Sequence, residues 1–502
     1  MLAFGGGHEH VDPKTGLALY GPYSLSDQRR PSLASIRVGI VGTSGMISDA
    51  QHWLRFCGNV VTNDGHEPLQ WPHFPGFNAG HPFQCELVLG DALWEDIRDD
   101  ELKNALGETN FFERIKRVVA LYAAKIEVLA GRGDAKPDVI VCCIPQNVID
   151  FCAVRQTRGG QLERRRISPA ERAAQAAAAV GQEFLFSSMD PRLGIEGDSG
   201  VHENLRRGIK AEAMRFGMPT QLVWPRTLVL TDGTGPVHSV QDRATRAWNL
   251  LTALYHKAGG SPWRLAQIEP GTCFVGVSFY RELGVGNGRL RTSLAQAFTT
   301  AGDGYVLRGR SFEWDERLQG GASPHLDAPD AAALLRDVLD LYQKQNRGAL
   351  PTRIVVHKSS RFWEEELAGF QDACEYIPRR DFVTLGWRGL QFYRTGDYPP
   401  LRGTYVKFDE NDLLLYTSGY VPYLRTYPGA RAPQPLEILE RYGDSPWELV
   451  LREIQALTKL NWNTANFATA EPITLAFSRR VGQILAELPS TVSPRPEYRF
   501  YM

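Results

Sequence analysis

The sequence predicts an α/β protein in which strands and helices alternate through two successive halves. Residues 36–42 are a convincing buried strand, and residues 137–145 are a continuous apolar run of strand length, typical of a central strand in a parallel sheet. In the second half, three strand-like segments separated by Gly-containing turns precede a helix, a strand and another helix. We therefore expect one open sheet in each half.

Composition narrows the classes of protein to consider. The 502 residues suffice for two or three domains, and a hydrophobic content of 43% is ordinary for a globular protein. No apolar run reaches about 18 residues, so we expect no membrane span. The chain start lacks a secretory signal and the seven cysteines form no C-x-x-C pair, which favours a cytoplasmic protein. With 56 basic and 57 acidic residues, nucleic acid would have to bind in a local groove.

The first half opens with a polar leader, residues 1–35, which we expect to lie as a strap over another surface. The strand at 36–42 leads to glycines that do not match the G-x-G-x-x-G pattern, so we reject a dinucleotide cofactor. There follow a helix at 111–129, the strand at 137–145, a basic loop at 154–170 and a helix at 243–257. This order indicates a Rossmann-like sheet, whose ligands bind at the carboxyl ends of the strands. The basic loop either touches a phosphate backbone or is a solvated surface loop.

Residues 204–221 are the most informative stretch of the first half. Arg206 and Lys210 lie four residues apart on a predicted helix, so both cations project from one face. Gly217 suits the end of that helix and Pro219 prevents its continuation, after which Gln221 opens a short apolar strand. A cationic face, a tight turn and an amide together suit a terminal phosphate. The alternative is a solvated basic helix face.

The second half has its own order of elements. Strands are predicted at 273–281, 289–298 and 304–309, then a helix at 329–345, a strand at 353–357 and a helix at 361–374. This β-β-β-α-β-α order is that of the RNase H-like fold. The complete expectation is therefore an α/β chain with a Rossmann-like domain followed by an RNase H-like domain.

The catalytic carboxylates of that second fold are missing. Its enzymes hold two divalent metals between carboxylates, with one Asp in the first strand and another after the strand that follows the first helix. Ser278 and Ser359 occupy these positions, and residues 274–281 and 352–362 contain no Asp or Glu. A hydroxyl does not supply the anionic oxygen that Mg²⁺ requires. We expect no metal-dependent cleavage by this chain.

Taken together, these segments resemble the Argonaute family, and most closely its short prokaryotic members. GIKAEAMRFGMPTQ (208–221) is similar to the MID segment that holds a guide's 5′ end, while FVGVSFYR and IVVHKSSRF are similar to the PIWI strands that carry catalytic Asp in cleaving members. The later PIWI segments are matched by YPPLRGTYVKF, LLYTSGYVPYLRTYPG and ALTKLNWNTANFATAEPITLAFSRRVGQIL. The resemblance implies a leader at 1–35, a MID domain at 36–265 and a catalytically degenerate PIWI domain at 266–502.

The resemblance also implies site residues. The guide's 5′-phosphate would be bound by Arg206, Lys210, Gln221 and Lys257, and Mg²⁺ would bridge it to the carboxylate of Met502, with Gln221 as a further ligand. Arg206 replaces the Tyr or His of many relatives, which puts stacking on the first base in doubt. Structural alternatives are a strand-start cap for Gln221, a helix C-terminal charge for Lys257 and a frayed tail. Candidate groove residues, each of which could equally support the fold, are Arg281, Lys358, Arg402, Thr404, Lys459 and Asn461.

The implied partners are a 5′-phosphorylated small RNA guide and complementary single-stranded DNA, which is bound without being cut. Residues 1–35 cannot hold the N and PAZ domains of a full Argonaute. We therefore expect a heterodimer with an APAZ-containing effector (TIR, sirtuin-like or nuclease) that could assemble further on activation, in defence against plasmids and phages. The alternatives are a scaffold that binds no nucleic acid and an active guided nuclease. The sequence does not decide the effector type, or RNA against DNA for either strand.

Overall fold

The computed structural model describes most of the chain. The described residues are 1–27, 32–63, 65–156, 162–164, 172, 204–230, 241–281, 289–297, 304–314, 323–387, 389–395, 399–409, 412–429, 432–488 and 492–502. Most of the predicted basic loop, including Arg165 and Arg166, lies outside them. Among the described helices, none combines the length and the apolar character needed to cross a bilayer.

The elements follow one another as listed here. The described strands are β1 (Leu2–Ala3), β2 (Glu9–His10), β3 (Ser35–Gly42), β4 (Glu86–Val88), β5 (Trp94–Asp96), β6 (Val139–Cys143), β7 (Val154–Gln156), β8 (Leu162–Arg164), β9 (Thr220–Val223), β10 (Arg264–Leu265), β11 (Thr272–Arg281), β12 (Arg289–Ala297), β13 (Gly304–Glu313), β14 (Arg353–Lys358), β15 (Arg379–Trp387), β16 (Tyr405–Lys407), β17 (Leu413–Leu415) and β18 (Leu436–Gly443). The described α-helices are α1 (Pro13–Tyr20), α2 (Ser44–Phe56), α3 (Asp99–Leu106), α4 (Phe111–Ala130), α5 (Gln146–Cys152), α6 (Leu205–Arg215), α7 (Pro225–Leu228), α8 (Arg243–Lys257), α9 (Ala328–Gln345), α10 (Glu364–Ala373), α11 (Trp447–Leu457) and α12 (Ile473–Glu487).

The first half contains the predicted Rossmann-like sheet. Its central strand β3 pairs in parallel with β4, β5 and β6, and β6 pairs in parallel with β9. Successive residues of β6 alternate between two apolar cores: Val141 packs with Trp53 and Trp248 of α2 and α8, whereas Ile140 packs with Ile209 of α6 and with α4. Helices therefore cover both faces of the sheet, which explains why β6 is apolar throughout.

The second half contains the predicted RNase H-like sheet. In the described part of the chain its strand order is β13-β12-β11-β14-β15-β18-β17-β16. The β11–β14 and β14–β15 pairs are parallel, and the pairs on either side are antiparallel. Helices α9 and α10 pack on one face of the sheet, and α12 lies across β11 and β12 on the other. The α/β fold class is confirmed in both halves.

Gly276 lies where β11 passes beneath the first turn of α12. A Cβ at this position would lie 2.0 Å from the main-chain oxygen of Thr474, so Gly276→Ala has to displace the helix. We expect it to lower the free energy of unfolding by about 1–3 kcal/mol, measured by urea denaturation. Gly386→Ala is the matched control, because its Cβ would meet only the flexible end of Leu439 at 2.8 Å. Equal losses of unfolding free energy in the two variants would contradict the close approach of Gly276 to Thr474.

The leader packs against both halves. Its strand β1 pairs with β2 and with β10, and Leu2, Phe4 and Leu17 are buried in the core that also contains Trp248. On the other side, the hydroxyl of Tyr423 donates to Thr15 Oγ1 at 3.0 Å. The described part of the leader therefore ties the two sheets together.

Candidate nucleic-acid interface

Helix α6, the start of β9 and the last turn of α8 enclose a cationic pocket. The side-chain oxygen of Asn204 caps α6 by accepting the N–H groups of Arg206 at 3.1 Å and Arg207 at 3.3 Å. One turn later lies Lys210, which is only 3% exposed. Its ammonium group donates to the main-chain oxygen of Thr220 at 3.0 Å and to that of Met502. The segment ending at residue 502 is thus buried at the pocket.

Lys257 enters the pocket from the last turn of α8 and is fully buried. Its Nζ donates to Gln221 Oε1 and, at 3.4 Å, to Asn463 Oδ1. The amide of Gln221 in turn donates to the main-chain oxygen of Leu222 at 3.1 Å, which fixes its orientation. Three of the residues predicted to bind phosphate therefore meet, although they belong to different elements.

The pocket carries positive charge that no carboxylate side chain of the described residues compensates by direct contact. Burial, followed by repulsion from Arg206, lowers the pKa of Lys210 to about 7. The pKa of Lys257 is lowered well below its ordinary value, chiefly by burial and then by repulsion from Lys210 and Arg206. Within the described residues, neither ammonium contacts a carboxylate side chain. Each has three N–H donors and gives two of them to oxygens of the described residues, so one donor remains on each for an anion.

Two arginines lie at the rim of the pocket. Arg206 is exposed and repels Arg480, which is exposed on α12 where that helix packs against α6. In the described part of the chain, neither guanidinium has a hydrogen-bond or ion-pair partner. By contrast, the neighbouring Arg479 pairs with Glu471. Sequence reasoning missed Arg480; the only signal was its position in the segment SRR, which does not tell the paired arginine from the unpaired one.

A cavity of about 420 Å³ adjoins the pocket. Gln221 and Asn463 contribute to its wall, together with Trp224, Asn249 and the exposed Arg226. Its polar and aromatic lining, next to the two lysines, offers space for the sugar and base attached to a bound phosphate.

The two serines at the positions where catalytic Asp was expected lie side by side. Strands β11 and β14 are in parallel register up to the pair Val277–Lys358, and Ser278 and Ser359 follow that pair directly. Ser278 is buried and Ser359 is exposed. Across the described residues, no group of three His, Cys, Asp or Glu side chains suits a metal ion.

The structure corrects the prediction for Lys358. This residue was expected in a nucleic-acid groove, but its side chain is fully buried and forms an ion pair with the equally buried Glu366 of α10. Its ammonium also donates to the main-chain oxygen of Arg361 at 3.2 Å and lies 5.3 Å from the ring centroid of Phe279. The charge of Lys358 is therefore used inside the fold.

Two other predicted groove cations also point inward. Lys459 is 6% exposed; its ammonium donates to the main-chain oxygen of Val11 in the leader and lies 3.8 Å from the ring centroid of Phe467. Burial, then repulsion from Arg402, lowers the pKa of Lys459 to about 7. Arg402 donates to Gln455 O at 3.0 Å and to Thr458 Oγ1 at 2.7 Å. Because of these contacts, neither cation faces solvent, although the sequence analysis placed both in a nucleic-acid groove.

The remaining groove candidates do not complete a cationic surface. Asn461 closes a local turn, donating to Thr464 Oγ1 at 3.1 Å and accepting from the N–H of Asn463 at 3.2 Å. Thr404 is half-buried and its main-chain oxygen accepts from Tyr416 at 2.8 Å. The side chain of Arg281 lies outside the described part of the structure.

Comparison with known proteins relates the chain to Argonautes. No protein-family model matches it. The curated "Protein argonaute" of Aquifex aeolicus (strain VF5) is 22% identical over 283 residues, which is 55% of this chain and 35% of that protein. The similarity indicates homology to the Argonaute family, and the chain spans about a third of the length of this relative.

Solved structures share the fold across both halves. Clostridium butyricum Argonaute, solved with a guide DNA and a 19-mer target DNA, matches with a TM-score of 0.62 and 13% identity over 98% of this chain and 53% of its own. Aa-Ago with externally bound siRNA matches with a TM-score of 0.54 and 15% identity over 100% of this chain and 55% of its own. Drosophila Piwi matches with a TM-score of 0.51 and 13% identity over 92% of this chain and 50% of its own. The chain thus spans about half the length of these structures.

Proposed function

We propose that this chain is a guide-dependent nucleic-acid-binding protein that anchors the 5′-phosphate of one strand at Lys210 and Lys257. The observation that carries the proposal is the pair of buried ammonium groups, neither of which contacts a carboxylate side chain within the described residues. Burying a cation without an anion is unfavourable, and a dianionic terminal phosphate would offset that cost. Arg206 and Arg480 at the rim would add attraction for the phosphates that follow.

The second strand would be recognised by base pairing. We propose a small RNA as the guide and complementary single-stranded DNA as the target, in line with the sequence resemblance. The solved Clostridium butyricum Argonaute, which shares the fold, contains a guide DNA and a target DNA. Because base pairing reads the sequence, the protein has only to hold the backbone and recognise the shape of the duplex, as RNA-guided effectors of other folds do.

Cleavage is not part of the proposal. Ser278 on β11 and Ser359 directly after the neighbouring strand β14 occupy the positions where cleaving relatives are expected to carry Asp, and neither hydroxyl suits a divalent metal at neutral pH. Target binding would then activate an associated APAZ-containing effector of TIR, sirtuin-like or nuclease type, as the resemblance implies. In this proposal the complex acts in defence against plasmids and phages.

Mg²⁺ fits the pocket only together with a phosphate. The oxygens at hand are Gln221 Oε1 and the main-chain oxygen of Met502, and each accepts from a lysine. Two ammonium groups repel a divalent cation, so phosphate oxygens would add the negative charge that Mg²⁺ requires. Gln221 and Met502 would hold the ion, which would neutralise phosphate charge.

The first test is to isolate nucleic acid from the purified protein. We expect short strands with a 5′-phosphate, identified by end-labelling with and without phosphatase and by sensitivity to RNase and DNase. Lys210→Met should reduce their yield, while Lys103→Met, at an exposed lysine of α3, should not. Absence of nucleic acid from the wild-type protein, even after phosphorylated strands are supplied, would refute the proposal and favour a scaffold.

The affinity for a 5′-phosphorylated strand is expected to fall as the pH rises above 7. The pKa of Lys210 is lowered to about 7, so above that pH its side chain is mostly the neutral amine, which has to take up a proton to bind phosphate as an ammonium. For each proton taken up on binding, a rise of one pH unit weakens binding by up to tenfold. Fluorescence anisotropy between pH 6.5 and 9 measures this slope. The same strand with a 5′-hydroxyl is the control, and equal slopes for the two strands would contradict the assignment.

A further inference from the structure

A separate cavity of about 720 Å³ lies between the leader, the first half and two loops of the second half. Its wall includes Lys14 of α1 and Thr245 of α8, whereas Lys210 and Lys257 do not contribute to it. The sequence resemblance assigned no role to Lys14 or Thr245. The polar groups that line this cavity point to a ligand.

Lys14 is a buried cation without an ion-pair partner. The residue is 7% exposed and lines the cavity, and its ammonium makes no hydrogen bond or ion pair within the described residues. Burial lowers its pKa, while Asp12 and Asp242 raise it from a distance. A lysine in such a place gains a charge-assisted hydrogen bond if an anion enters the cavity.

Two carboxylates of the cavity wall, Asp12 and Asp242, each cap a helix. Asp242 Oδ1 accepts the main-chain N–H of Thr245 in α8 at 3.0 Å, and Asp12 Oδ1 accepts that of Thr15 in α1 at 2.8 Å. Both carboxylates therefore face helix N-termini, which offsets part of their charge toward an anionic ligand.

Aromatic side chains form other parts of the wall. Trp71 is 38% exposed, and the rings of Tyr427 and Phe467 line the same space. The side-chain amides of Gln70 and Asn466 also line it, and within the described part of the chain they have no partners. Flat rings and amides are the groups that stack on nucleobases and hydrogen-bond to their edges.

We propose that this cavity binds one nucleotide unit, with its phosphate at Lys14 and its base against the aromatic wall. Asp12 and Asp242 would accept from ribose hydroxyls or an exocyclic amino group. The unit is either a free mononucleotide or a nucleotide of a bound strand, since both present the same groups. This site is independent of the proposed guide pocket.

The test uses AMP and adenosine as probes in isothermal titration calorimetry. A 5′-monophosphate could also enter the guide pocket, so every variant carries Lys210→Met and Lys257→Met. We expect AMP to bind about tenfold or more tightly than adenosine, because only AMP reaches Lys14 with a charge. Adding Lys14→Met should abolish that difference. Lys103→Met is the matched control and should change neither affinity.

The thermal midpoint separates loss of binding from loss of fold. Lys14→Met should raise it, because an apolar side chain of similar length replaces a buried ammonium that has no ion-pair partner. A lower midpoint would mean that Lys14 supports the fold, and would overturn the proposal. So would failure of AMP to bind, equal affinities for AMP and adenosine, or unchanged AMP binding in Lys14→Met.

A competition experiment on the wild-type protein identifies the source of the nucleotide. A 5′-phosphorylated strand paired with its complement is added first, and AMP binding that depends on Lys14 is measured afterwards. Loss of that binding would assign the cavity to a nucleotide of the strand, and its retention would assign it to a free mononucleotide. Either result is consistent with the proposal.

Discussion

Lys210→Met combined with Lys257→Met is expected to weaken binding of a 5′-phosphorylated strand by about 10²- to 10⁴-fold. Each lysine offers one charge-assisted hydrogen bond to the phosphate, and such bonds contribute about 1.5–3 kcal/mol each. Methionine keeps the volume of the aliphatic stem, so packing around the pocket should change little. Fluorescence anisotropy with a labelled 5′-phosphorylated strand measures the loss.

The matched control is Lys103→Met combined with Lys125→Met, which removes two positive charges from the same half of the chain, outside the pocket. This control should bind within a few fold of wild type, because distant surface charges are screened by salt. The pocket variant should remain at least as stable as wild type, since it loses two buried charges. An equal loss of affinity in both variants would mean that net charge, and not the pocket, holds the strand.

Glu366→Gln is expected to lower the free energy of unfolding by about 3–5 kcal/mol. Glu366 and Lys358 are fully buried partners, and the neutral amide would leave the ammonium without a counter-charge. Glutamine can still accept the N–H of Leu326, which Glu366 Oε1 now accepts at 3.0 Å, so the change isolates the ion pair. Urea denaturation of the variant and the wild type measures the difference.

Adding Lys358→Met to Glu366→Gln should restore most of that stability, because replacing both members of a buried pair is often nearly neutral. The double variant should also bind a 5′-phosphorylated strand like wild type, since Lys358 is used inside the fold. If Lys358→Met alone weakened strand binding without loss of stability, Lys358 would belong to the nucleic-acid groove after all.

The sequence predicted the sheets well because their central strands are buried on both faces. The runs at 36–42 and 137–145 correspond to β3 and β6, whose residues alternate between two apolar cores. The position of Lys210 also followed from local rules, since the helix of which it is part is capped and ends as its residues indicate. In these places local pattern and tertiary structure agree.

Long-range contacts were not predictable from local pattern. Lys358 is buried because Glu366 lies on the following helix, and Lys459 is buried because Val11 of the leader accepts its hydrogen bond. Arg480 reaches the rim because α12 packs against α6. The sequence alone does not distinguish a lysine near a strand end that faces a groove from one that forms a buried ion pair.

The central claim is tested most directly by one comparison on the wild-type protein. Two strands of identical sequence and length, one with a 5′-phosphate and one with a 5′-hydroxyl, are titrated at pH 7 in Mg²⁺. Recognition of the terminal phosphate by Lys210 and Lys257 predicts that the phosphorylated strand binds at least about 100-fold more tightly. Equal affinities would show that the buried lysines do not hold a 5′-phosphate.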